Sequence, residues 1–86
     1  MSSFAVHQSI VAALASPSVK VCHISVTNKG AANAFNEAKN YIEKLGIQDT
    51  AIQVARMRIR FVNGSYIDFK DSGAELRGLR YDLTQT

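Results

Sequence analysis

Three groups of side chains in this sequence have types and spacings that could do chemistry. The first is basic. Arg56, Arg58 and Arg60 alternate with hydrophobes, and Lys70 lies further along the same stretch. Alternate residues of a strand share one face, so the arginines form a stripe. Guanidinium and ammonium groups bind phosphates, and Tyr66 offers a ring on which a base could stack. Arg77 and Arg80 flank Gly78 and extend the set. The competing expectation is a solvated face, because half-buried antiparallel sheets normally put polar residues outward. Glu75 and Asp82 lie near Arg77 and Arg80 and favour surface ion pairs, which are worth little.

The second group is His7, Cys22 and His23, which suggests a metal site or a nucleophile. Cys22 and His23 are adjacent on a strand, however, and point to opposite faces. His7 sits on a helix face that should be buried. A structural role is therefore expected for all three, in line with the usual burial of free cysteine. A single cysteine allows no internal disulfide and none of the common structural zinc sites. The third group is Asp68, Asp71 and Glu75. Nothing in the sequence gathers them into a pocket, so no acid–base pair is expected.

These residues must be positioned by a chain of 86 residues, 47% hydrophobic and 20% charged. That is one domain, 1–86, with a small core and little spare stability. Its net charge of +3 permits contact with DNA without demanding it. No apolar run approaches the ~20 residues of a membrane span. Met1-Ser2-Ser3 carries no positive segment, so no secretory leader is expected.

Ser3 can cap a helix starting at Phe4, with Phe4, His7, Val11 and Leu14 on one face and Ile10 beside them. The helix is apolar over most of its circumference, and Ser16-Pro17-Ser18 stops it. Val19 to Val26 reads as an inner strand, apolar on both faces. Thr27 or Asn28 can cap a second helix over Lys29–Leu45. Its stripe is Ala31, Ala34, Phe35, Ala38, Ile42 and Leu45, and Gly46 stands at its C-terminal cap. Gln48 to Thr50 connects to Arg56–Val62, and Asn63-Gly64 turns the chain into a return strand, Ser65–Lys70. A two-residue loop would put Ile67 and Phe69 on the arginine face. A loop through Val62-Asn63-Gly64 instead sets Ile59 against Ile67, Met57 against Phe69 and Arg58 against Asp68. It keeps the apolar residues on one face and is preferred. After Asp71-Ser72-Gly73, Ala74–Arg80 reads as a short helical turn or an ordered loop, and Tyr81–Thr86 as a short strand or a frayed tail. The whole is a small two-layer α+β domain, α-β-α-β-β. Its helices lie on one side of a mixed sheet that ends in a C-terminal hairpin, and a helical crossover makes the first strand parallel to the next.

This order resembles the ATPase domain of phage terminase large subunits, the DNA-packaging motor. Ser3-Phe4-Ala5 running into Ile10–Leu14 is similar to the helix that follows the family's Walker A loop. Val19–Lys29 and the helix to Leu45 are similar to the next strand and helix. Arg58-Ile59-Arg60-Phe61-Val62-Asn63-Gly64-Ser65-Tyr66-Ile67-Asp68-Phe69 is similar to its Asn-Gly-Ser hairpin, and Arg77-Gly78 matches the Arg-Gly element beyond it. The likeness spans roughly Ser3 to Asp82.

The departures shape what the resemblance implies. If Ser3 takes the Walker serine/threonine position, Ser2 replaces the lysine and no glycine precedes it. Leu83-Thr84-Gln85-Thr86 stands where a strand ending in Asp-Glu would follow. Without a phosphate cradle or magnesium carboxylate, phosphoryl transfer lacks its equipment, so neither an enzyme nor a cofactor is expected. The resemblance implies a non-catalytic phage or prophage protein of the bacterial host's cytoplasm. It would bind a protein partner, such as the packaging motor. The strands that flank Val19–Val26 in the family are missing, so a homo-oligomer is expected, with the first helix or a strand edge in the interface. The alternatives are a basic nucleic-acid-binding module using Arg56, Arg58, Arg60, Lys70, Arg77 and Arg80, or one part of a split ATPase completed by another chain.

Overall fold

The computed structural model describes residues 2–71 and 81–85. Helix α1 spans Ser2–Ala15, so Ser3 lies inside the first turn rather than at its cap. Its buried face is Val6, Ser9, Ile10 and Ala13, whereas Phe4 and Val11 remain 69% and 54% exposed. This corrects the face expected from spacing. A helix apolar nearly all round carries no periodic signal, and its packing partners choose the face. Ser9 is accommodated in the core because its hydroxyl donates to the Ala5 carbonyl at 3.0 Å.

Helix α2, Asn28–Leu45, matches its sequence signals closely. Thr27 accepts from the Gly30 amide, and Gly46 takes φ 69° where a left-handed cap residue is needed. The buried stripe, Ala31, Ala34, Ala38 and Ile42, is mostly small and lets the helix approach the sheet closely. Leu45, expected in that stripe, is exposed.

Five strands follow or separate the helices: β1 Lys20–Ser25, β2 Ala51–Ala55, β3 Arg58–Phe61, β4 Tyr66–Asp71 and β5 Leu83–Gln85. A short 3-10 turn, Gln48–Thr50, leads into β2. The sheet order is β2-β3-β4-β1-β5. β1 is parallel to β4 on one side and to β5 on the other, and β2, β3 and β4 form an antiparallel meander. The fold is the expected mixed-sheet α+β domain, with β2 added to the expected strands and β5 realising the short-strand alternative for Tyr81–Thr86. The crossover through α2 carries the chain to the far edge, so the parallel neighbour of β1 is β4 and not the next strand in sequence. Nor does β1 lack neighbours, because β4 and β5 flank it within this chain.

The β3–β4 hairpin has the expected register, with Arg58 opposite Asp68 and Ile59 opposite Ile67. Phe69 donates its amide to the Met57 carbonyl, and Gly64 closes the turn at φ 90°. Val21, Ile59, Phe61, Ile67 and Phe69 point to the helices and build one core with Val6, Ile10, Ala13, Ala34, Ala38 and Ile42. The opposite face of the sheet carries Cys22, Arg58, Arg60, Tyr66, Asp68 and Lys70, as the pairing dictates.

Candidate functional site

Of the predicted basic residues, Arg58, Arg60 and Lys70 do lie on that second face, opposite α1 and α2. Arg56 does not belong to the strand. Ala55 pairs with Arg58, so Arg56 and Met57 form a two-residue turn between β2 and β3, at φ 55° and 62°. Both signs are those of a type I′ turn, whose usual residues are Asn and Gly. Left-handed backbone costs a non-glycine residue ~1–2 kcal/mol. Arg77 and Arg80 lie outside the described residues.

Arg58 is committed to Asp68 through two parallel hydrogen bonds, from Nε to Oδ1 and from Nη2 to Oδ2. It also sits 4.3 Å above the Tyr66 ring centroid. Tyr81 donates its hydroxyl to Asp68 Oδ2 at 2.7 Å. The buried carboxylate thus accepts three hydrogen bonds, which satisfies it away from water. The bond to Asp68 raises the Arg58 pKa further, and burial followed by that same carboxylate raises that of Tyr81. Asp82 completes the approach to β5, accepting from the Lys20 amide at 2.8 Å and donating its own amide to the Lys20 carbonyl.

Around this cluster a hollow of about 310 Å³ is lined by Gln53, Arg56, Arg58, Asp68 and Lys70 among others. Arg60 shares the face but does not line it. Cys22 also faces this side and is fully buried. Burial, then Asp68, pushes its thiol up, so it holds its proton at neutral pH and is no nucleophile.

His7 and His23 lie on the other face and do not join Cys22. His7 stacks on Tyr41 with ring centroids 3.7 Å apart, and its Nε2 is 4.0 Å from Glu37 Oε2. His23 is buried beside Phe69, and neither ring nitrogen has a hydrogen-bond partner among the described residues. Burial lowers its pKa, so it stays neutral. Among the described residues no three His, Cys, Asp or Glu side chains could hold a metal ion together. Asp68 and Asp71 are engaged separately, since Asp71 accepts from Asn28.

Asn63-Gly64-Ser65, the most specific part of the resemblance, does structural work. Asn63 Nδ2 donates to the Ala13 and Ser16 carbonyls, and Ser65 Oγ donates to Ser16 and accepts from the Val19 amide. The hairpin tip therefore caps the C-terminus of α1 and fixes the entry to β1.

Sequence reasoning missed β2. It is an edge strand with no charged residue and no proline, and Ile52 and Val54 are 59% and 38% exposed. Ile52 is an extra residue in its pairing with β3, after which Gln53, Val54 and Ala55 continue in register. Beside it runs a groove of about 280 Å³ between α2 and the sheet, lined by Lys39, Ile42, Glu43, Gln48, Ala51 and Val54. The alternation of Ile52 and Val54 was the available signal.

No described helix is long and apolar enough to cross a membrane. Compared with protein families, characterised proteins and solved structures, the chain matches none.

Proposed function

We propose that this chain is a non-catalytic binding domain, terminase-like in the order of its elements, that takes a protein partner along the open edge of β2. The observation that carries this reading is the character of that edge. Natural edge strands are blunted by charge, proline or cover, and among the described residues β2 has none of these beyond a single bulge. A partner strand added there gains main-chain hydrogen bonds, and the α2–β2 groove receives its side chains. The class of partner comes from the resemblance: a phage packaging motor in the bacterial cytoplasm. Two features support the likeness. The Asn-Gly-Ser hairpin has the register its sequence requires, and β5 stands directly after Tyr81-Asp82, where the family places a strand.

The test is co-purification with a terminase large subunit. Wild-type chain should be retained, and Val54→Lys should weaken retention at least tenfold by putting an ammonium on the edge. Equal retention of both chains, or none of either, would refute the reading. Magnesium-dependent ATP turnover by the purified chain would refute its non-catalytic part.

A further inference from the structure

The hollow at the β2–β3 end of the sheet face opposite α1 and α2 has properties that partner binding at the β2 edge does not use. Arg58 carries five N–H donors, and Asp68 occupies two of them, leaving three without a partner among the described residues. Its guanidinium plane is fixed by the paired bonds to Asp68, by the Tyr66 ring and by the Tyr81 hydroxyl behind Asp68. Arg56 and Lys70 line the same hollow, and neither has an acidic partner among the described residues. Among the described residues, three cations therefore share the hollow with one carboxylate, and that carboxylate is buried and accepts three hydrogen bonds. Arg56 is held at the rim by a turn strained at two consecutive non-glycine residues. Backbone strain of this kind gathers at binding sites.

We propose that this hollow binds a phosphate group. Arg58 supplies a pre-oriented guanidinium edge, which suits the planar, paired recognition of phosphate oxygens. Arg56 and Lys70 supply charge from either side. The same group is presented by a small free phosphate or by the backbone of single-stranded nucleic acid. The proposal is independent of the partner-binding reading, because it uses a different face and different side chains.

Nuclear magnetic resonance titration of the full chain, with pyrophosphate and separately with a single-stranded oligothymidylate, tests it. Shifts should concentrate at Arg56–Arg58 and Asp68–Lys70. The double variant R56N/K70Q puts at 56 a residue that tolerates positive φ and should melt no lower than the wild type. It should bind either probe at least tenfold more weakly. For the oligonucleotide, losing two phosphate contacts should reduce the log–log salt slope by about 1.4. Binding of pyrophosphate alone makes a small anion the source, and binding of the oligonucleotide makes it the nucleic-acid backbone. No shift with either probe, or unchanged affinity in the double variant, overturns the proposal.

Discussion

Asn63 and Gly64 show how much one turn can hold. Asn63→Ala removes the bonds to the Ala13 and Ser16 carbonyls and the one accepted from the Ser65 amide, and should cost about 1–3 kcal/mol in chemical denaturation. Gly64→Val should cost ~1–2 kcal/mol or more, because φ is 90° and a Cβ would stand 3.1 Å from Ser18 Oγ. His23 supplies a pH dependence. Its folded pKa lies below the unfolded value near 6.5, so the unfolded chain binds the proton more readily. Stability from this residue is complete above pH 6.5 and falls as pH drops below it, by up to ~1.4 kcal/mol per unit. Denaturation at pH 7.5 and 5 should show the loss, and His23→Phe should remove it. A loss equally large in the variant would assign it to other groups. The Arg58–Asp68 pair was legible in the sequence, because strand parity fixes which residues face each other. The role of Asn63 was not, since its partner Ala13 is 50 residues away and no local pattern encodes such a contact.

Elements with strong local signals were readable, and those without were not. Helix α2 has a cap, a stripe and a terminal glycine, and it lies where they put it. Strand β2 and its turn were invisible because Arg56-Met57 is not a turn sequence. Its φ angles come from the pairing of the strands it joins. Replacing Arg56-Met57 with Asn-Gly should therefore stabilise the hairpin by about 1 kcal/mol, read as a higher melting temperature. The turn's strain would then be shown to serve something other than stability. A lower melting temperature would mean that Met57, packed against the core, contributes more than the strain costs.

At the scale of the molecule, the expected interface was the first helix or a strand edge, and we favour the edge. α1 packs one face against α2 and the sheet, leaving Phe4 and Val11 exposed, and β1 has neighbours on both sides. β2 and β5 are the edge strands among the described residues, β2 is the longer, and a second copy and a foreign partner would compete for it. We expect a concentration-dependent oligomer by light scattering at micromolar concentration, reduced to a 9.4 kDa monomer by Ile52→Lys. A wild-type monomer at every concentration would remove self-association. The central claim is that β2 receives a protein partner, and hydrogen exchange reads it most directly. With a terminase large subunit added, the amides of Ala51–Ala55 should exchange at least tenfold more slowly, while those of β1, already inside the sheet, stay unchanged. Unchanged exchange across Ala51–Ala55 in a mixture that demonstrably forms a complex would contradict the account.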